Sequence, residues 1–538
     1  MAEVTATANA RSSNPAAPRE APNRRVSAAL VVVLIVAGAF LGVFVHWPGG
    51  GQPRAAVANA PPPVVFLLFD EFPVIDLENA NGELDAGRFP NFARLAQSSV
   101  WFRNTTTLSA NTTVAVPAIL TGNPPKRGAR PTARDYPNNL FTLLGRRYRM
   151  VVLETQTQLC PKRLCKRKQH HALSENATLP RIDQQTFWRG RVHAFNRWVA
   201  RLRRPDVGPP TLYFMHSLFP HTPWVFLPDG RARALAHTNT PGRIGERWYN
   251  SALAVQAWQR HLLQTGYTDR LLGQVIRRLQ KTGLWDNALI VVTADHGISF
   301  RGGDLRRHPS RTNLAELAFT PLFMKLPGRQ DGRLVDRHVL TVDILPTIAD
   351  VLGSRIPWKT AGSSALGTGA GSPTVKVKNI SAPYPVALAQ RRRSRVRQLR
   401  LFGSGSWGTQ FSGTGEYHAL VGDRVRTLHF IGQGDGEAKL DKVGSAMLRS
   451  FPRHSPLIPS PLVGKLAGVE SGTQLALALN GRIAAVTEAY RDPRGPIKFS
   501  ALAGESAFTA GRNRAQLFVV SGPARRPVLR ELRVKLAD

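Results

Sequence analysis

Val64-Val65-Phe66-Leu67-Leu68-Phe69-Asp70-Glu71 is an uninterrupted apolar run that ends on two acids. Without alternation of polar and apolar side chains, such a run reads as a strand covered on both faces, the mark of a parallel sheet packed between helices. Runs of the same kind recur at residues 150–153, 212–215, 289–293 and 321–326. Helical patterns lie between them, at residues 90–97, at 252–279 with Gly266 as its expected break, and at 343–352 stopped by Gly353. Strands alternating with helices predict an α/β domain built on a mostly parallel sheet flanked by helices. The position of the two acids then matters, because open α/β sheets bind ligands at the carboxyl ends of their strands.

Working outward, the chain has 538 residues, with 72 Lys and Arg against 35 Asp and Glu for a net charge of +37. At roughly 150 residues per domain this length allows two or three domains. Hydrophobic residues at 42% and charged residues at 20% exclude disorder along the whole chain. The charge excess points to polyanionic contacts, among them anionic lipid headgroups; no recognised DNA or RNA module accompanies it, so nucleic acid is not expected. Residues 26–45 carry no charge and are long enough for a transmembrane helix. Arg11, Arg19, Arg24 and Arg25 precede them, which places the N-terminus in the cytoplasm and the rest outside. A cleaved signal peptide is the alternative, but the small-residue site Ala58-Asn59-Ala60 lies well past the apolar run. The expected organisation is a cytoplasmic tail (1–25), one membrane helix (26–47), a Pro- and Ala-rich linker (48–63), a catalytic domain (64–358), a Gly- and Ser-rich linker (359–380) and a C-terminal β-rich domain of sandwich type (381–538). Strands of that last domain are expected at residues 398–402, 474–479, 498–502 and 516–520.

Three short stretches carry the chemistry. Asp70-Glu71 follows one strand and Asp295-His296 follows another, in Val-Val-Thr-Ala-Asp-His-Gly. Two strand ends that each deliver adjacent donors can converge on one divalent cation. Taken singly, acids after a strand are more often helix caps or solvated turn residues. The third stretch, Asn111-Thr112-Thr113-Val114-Ala115-Val116-Pro117, leads a polar approach into a helix, where a hydroxyl at the N-terminus faces the positive end of the dipole. A threonine there either caps the helix or, activated by a dication, attacks phosphorus.

Asp70-Glu71, Thr112 nine residues before Thr121-Gly122, and Thr293-Ala294-Asp295-His296-Gly297 resemble, in that chain order, the alkaline phosphatase-like superfamily of sulfatases, phosphodiesterases and membrane phosphotransferases. The nucleophile segment looks most like that of the phosphoethanolamine transferases and, less closely, the lipoteichoic acid synthases, and the resemblance covers about residues 64–353. It implies a metal set of Asp70, Thr112, Asp295 and His296 with Glu71 as a further ligand, for one divalent ion (zinc, manganese or calcium). It implies Thr112 as nucleophile. It also implies substrate contacts or proton transfer by His216, His221 and His308, acting as imidazolium groups against phosphoryl oxygens. The resemblance departs in two places: one membrane helix stands where those relatives carry several, and Thr112 stands where sulfatases carry a Cys or Ser converted to formylglycine. No second Asp/His cluster for a two-zinc site is visible near His216.

Cys160 and Cys165 enclose four residues and, outside the membrane, read most simply as a local disulfide; with His170 and His171 they form a rival zinc pattern. Basic runs at residues 162–168, 201–204 and 391–397 are either solvated faces or contacts to an anionic lipid surface. The combined expectation is a single-pass cell-membrane protein with an extracytoplasmic sulfatase-like hydrolase or transferase domain. It would cleave or transfer a phosphate-ester group, from a soluble or lipid-linked substrate, through a phospho-threonine intermediate. The alternatives are a sulfuric ester hydrolase or phosphodiesterase of the same fold, and a catalytically silent, membrane-tethered polyanion-binding protein.

Overall fold

A computed structural model describes residues 61–165, 184–203, 207–233, 242–408, 415–452, 454–458, 460–493 and 495–538. The expected membrane helix, His170 and His171 lie outside the described residues; among the described ones no helix is long and apolar enough to cross a membrane.

The opening run forms β1 (Val64–Asp70), every residue of it buried. It lies inside a seven-stranded sheet with β2 (Val100–Phe102), β3 (Arg149–Leu153), β4 (Thr211–Pro220), β5 (Leu289–Ala294), β6 (Leu322–Lys325) and β7 (Arg333–Val335), in the order β7-β2-β6-β5-β1-β4-β3. Strands β3, β4, β1 and β5 run parallel, and β6 joins β5 antiparallel. The period-2 geometry of a strand divides β1 between two cores. Val65, Leu67 and Phe69 face one, with Tyr213, Met215, Ile290 and Val292; Val64, Phe66 and Leu68 face the other, with Leu212, Phe214, Leu289 and Val291. Each such side chain contributes about 1.5–3 kcal/mol by leaving water, so a polar substitution anywhere in β1 has no tolerant face.

Helices cover both faces. On the first lie α1 (Pro90–Ala96), α3 (Gln184–Arg201) and α4 (Ser251–Lys281); on the second lie α2 (Thr112–Thr121) and α5 (Ile344–Val351). The expected break at Gly266 does not occur, since α4 runs through 31 residues. Gly266 serves close packing instead: a Cβ there would sit 2.5 Å from Trp407 and 2.8 Å from Pro228.

Residues 398–402, expected as a strand, belong to α6 (Tyr384–Phe402). Its inner face is Ala387, Gln390, Arg391, Ser394, Gln398 and Phe402, a helical spacing written mostly in polar residues, so an apolar periodicity could not show it. Gln390 donates to the carbonyls of Arg311 and Thr312, and Gln398 to that of Ile75. The basic run at residues 391–397 is therefore partly internal. Arg391 is buried against Glu78 and Asn104, and Arg397 lies over the Trp258 ring.

The C-terminal part holds β8 (His429–Leu440), β9 (Leu462–Ala467), β10 (Gln474–Leu479), β11 (Arg482–Glu488), β12 (Tyr490–Arg491), β13 (Ile497–Ala501), β14 (Ala515–Ser521), β15 (Val528–Lys535) and the helix α7 (Lys442–Arg449). These strands form one eight-stranded sheet, ordered β11-β10-β14-β15-β8-β9-β13-β12, where two stacked sheets were expected. It is mixed, because β8 pairs with β15 in parallel. The long β8 escapes sequence reading: Gly432, Gly434 and Gly436 interrupt its pattern.

Candidate active site

Register brings the site together. Phe69 of β1 lies opposite Ala294 of β5, so Asp70 and Asp295-His296 leave adjacent strands at the same end. The N–H of Asp295 donates to the Phe69 carbonyl at 3.0 Å and that of Phe72 to the His296 carbonyl at 2.7 Å, which fixes the two exits to each other. Asp70, Asp295 and His296 each offer a ligand atom, all within 4.8 Å of one another, and all three are buried. Thr112 arrives as the first residue of α2. Asn111 caps that helix by accepting the Thr113 N–H at 3.1 Å, so neither threonine is the cap. Thr112 Oγ1 lies 3.4 Å from Asp70 Oδ1 and 3.3 Å from His296 Nε2.

The donors suit a cation. His296 Nδ1 faces the Gly297 carbonyl at 2.8 Å, which assigns the ring proton to Nδ1 and leaves a lone pair on Nε2. Asp295 Oδ1 accepts the N–H groups of His296 (2.7 Å) and Glu71 (3.2 Å), while Oδ2 has no hydrogen-bond partner and lies 3.5 Å from His296 Nε2. A carboxylate oxygen and an imidazole nitrogen that face each other at this distance fit a shared metal ion. Burial pushes the Asp295 carboxyl up to about 7 and the His296 imidazole down to about 3. Both shifts disfavour charge in a site without its cation, and a bound dication would reverse the cost for the carboxylates.

Glu71, expected as a further ligand, turns elsewhere. Its φ of +58° is a left-handed conformation costly for a residue with a Cβ, held by its N–H on Asp295 and its carbonyl on His261 Nε2 at 2.9 Å. The carboxylate then points into a basic cluster. Arg306 Nη1 lies 3.0 Å away, His221 Nε2 3.4 Å and Arg307 Nε 3.5 Å. Burial pushes this carboxyl up, but Arg306, His221 and Arg307 outweigh it and hold the group well below the carboxylate range. Glu246 carries the network outward, with Arg306 Nε at 3.0 Å and Arg307 Nε at 3.6 Å.

The three histidines separate. His221 is buried beside Glu71. His216 is buried too, with Nδ1 2.6 Å from Thr155 Oγ1 and Nε2 unpartnered; burial first, then the nearby His296 and His221, push it down to about 3. That burial favours the neutral ring, against the imidazolium expected there. His308 is exposed, on the loop that carries Arg306 and Arg307. Those arginines were missed in the sequence, where the only signal was their adjacency to His308 in Arg306-Arg307-His308. Cys160 and Cys165 are joined in a disulfide, buried with Leu159 in the second core.

A parallel sheet delivering two carboxylates, an imidazole and a helix-terminal hydroxyl to one buried point defines an alkaline phosphatase-like α/β site. The family model described as Sulfatase matches residues 62–354, more than half of the chain, and the protein belongs to that family. It is 32% identical over 99 residues to arylsulfatase K of Canis lupus familiaris, a match covering 18% of each chain. It is 35% identical over 100 residues to the multifunctional alkaline phosphatase superfamily protein PehA of Trinickia caryophylli, covering 18% of this chain and 19% of that one. The matches span about a fifth of the length of these curated relatives. The phosphonate monoester hydrolase of Agrobacterium radiobacter aligns in structure over 58% of this chain and 79% of its own, at 17% identity and a TM-score of 0.42.

Proposed function

We propose that the protein is a metal-dependent hydrolase or transferase of phosphate esters that works through a phospho-Thr112 intermediate. The observation that carries this reading is the contact of Thr112 Oγ1 with both Asp70 and His296. Asp70, Asp295 and His296 would hold one divalent ion, which supplies positive charge for a substrate oxygen and for the threonine alkoxide; two carboxylates and one imidazole suit zinc or manganese better than calcium.

The remaining steps belong to side chains. Asp70 Oδ1 accepts the Thr112 hydroxyl proton as Oγ1 attacks phosphorus in line with the leaving oxygen. His221 is the proton donor to that oxygen: its Nδ1 is held by the Thr222 carbonyl at 2.8 Å, while its Nε2 lies 3.4 Å from Glu71, loose enough for the Nε2 proton to pass to the leaving oxygen instead. The same residue then activates the water or acceptor alcohol that releases the phosphoryl group. Arg306 is buried in ion pairs with Glu71 and Glu246, so of the two arginines the partly exposed Arg307 is the one placed to meet an anionic ester.

A sulfuric ester hydrolase is the weaker reading. Its formylglycine precursor would be a Cys or Ser at the nucleophile position, and Thr112 is neither; among the described residues no cysteine is free. We also propose an extracytoplasmic domain tethered by residues 26–45, a reading supported by that uncharged run and by the disulfide, which suits an oxidising compartment. Assay of aryl phosphodiester and aryl sulfate hydrolysis, with and without chelator, tests the reaction. Chelator-sensitive phosphodiester turnover that Thr112→Ala abolishes is expected; sulfate turnover that survives in Thr112→Ala would overturn the assignment.

A further inference from the structure

Two other arginines are enclosed with no ion pair to any acid among the described residues. We propose that Arg233 and Arg260 form a buried binding site for a small inorganic oxyanion of phosphate or sulfate type, at the seam between α4 and the C-terminal sheet.

Arg233 is 2% exposed and Arg260 is 4% exposed. Among the described residues, Nε, Nη1 and Nη2 of Arg233, and Nε and Nη2 of Arg260, have no hydrogen-bond partner. Arg233 ends the short strand Ala232–Arg233, which pairs in parallel with Leu457–Ile458 and sets Arg233 opposite Ile458. Ile458 packs on Leu263 of α4, and Arg260 lies three residues before Leu263, on the same side of that helix. One turn earlier, Gln256 exchanges hydrogen bonds with Ser500 of β13, its Nε2 donating to the carbonyl at 2.7 Å and its Oε1 accepting the hydroxyl at 2.7 Å. The face that carries Arg260 therefore looks onto the C-terminal sheet.

A guanidinium does not give up its proton near neutral pH, so two of them buried together demand a counter-charge. Burial pushes Arg260 down to about 10; burial and then Arg260 hold Arg233 well below the usual arginine range. Nearby carboxylates are committed elsewhere. Glu505 and Asp229 bind Arg231, and Asp492 binds Lys498. Residues 234–241, which follow Arg233, contain no acid. Several N–H donors on two planar forks match the oxygens of a tetrahedral anion, to which arginine binds bidentately, better than they match a halide without directional acceptors. The enclosure limits the ligand to a small ion, one that ties the helix to the sheet.

Neither arginine contacts Thr112, Asp70, Asp295 or His296 among the described hydrogen bonds and ion pairs, so the test reads stability rather than turnover. Thermal unfolding of the full chain is measured in millimolar phosphate, sulfate, or sodium chloride of equal ionic strength. A rise of several degrees beyond chloride is expected for the wild type and for Asp70→Asn, and is expected to vanish in Arg233→Met/Arg260→Met. An equal rise in the double variant, or loss of the rise in Asp70→Asn, would assign the effect elsewhere and overturn the proposal. Should the double variant not fold, wild-type crystals soaked in tungstate decide: an anomalous peak between the two guanidinium groups supports the site, and none there refutes it.

Discussion

At the scale of single residues, Thr112 and Glu71 divide the labour. Thr112 meets the candidate metal ligands Asp70 and His296, whereas Glu71 pairs with Arg306 and Arg307. Replacing Thr112 by Ala is expected to lower phosphodiester turnover by roughly 10³-fold or more, because it removes the reacting hydroxyl, while the loss of one buried methyl group lowers stability by only about 1 kcal/mol. Arg306→Met should behave in the opposite sense. It leaves the buried Glu71 carboxylate short of its nearest cation, at a cost of about 3–5 kcal/mol in stability, and Glu71→Gln in the same chain should recover most of it. Denaturant titration of the single and double variants checks this, and an unchanged midpoint in Arg306→Met would contradict the ion-pair role. The meeting of Asp70, Asp295 and His296 was readable in the sequence, since they sit directly after apolar runs. The turn of Glu71 away from them was not, for it depends on a positive φ and on Arg306, 235 residues further along the chain.

At the scale of elements, the helix carrying Thr112 is aimed by its cap. Asn111→Ala removes the acceptor for the Thr113 N–H, with an expected stability loss of about 1 kcal/mol and a larger proportional fall in kcat than in 1/KM as Thr112 loses its register to Asp70. Steady-state kinetics beside thermal unfolding separates the two effects. In α4, Gly266→Ala gains up to about 1 kcal/mol of helix propensity but drives a methyl group into Trp407 and Pro228, for an expected net loss of about 1–2 kcal/mol. A stabilised Gly266→Ala protein would show that the close approach is not what the glycine serves. Sequence reading found the elements whose buried face is apolar, such as β1 and β5. It misread α6, whose inward face is Gln390, Arg391, Ser394 and Gln398, and it passed over β8, whose glycines erase any alternation.

At the scale of the whole molecule, residues 59–538 form one compact unit. A chain that starts at Asn59 is therefore expected to fold, bind its metal and turn over substrate as the full chain does, while the full chain sediments with membranes and resists a carbonate wash. Release of the full chain by that wash would contradict the tether at residues 26–45. The central claim is narrower than any of this and concerns a single bond. Acid-quenched protein incubated with an aryl phosphodiester and manganese or zinc, digested and analysed by mass spectrometry, is expected to carry a phosphoryl adduct on the peptide containing Thr112. Steady turnover with an adduct on another residue, or with none at any quench time, would contradict it.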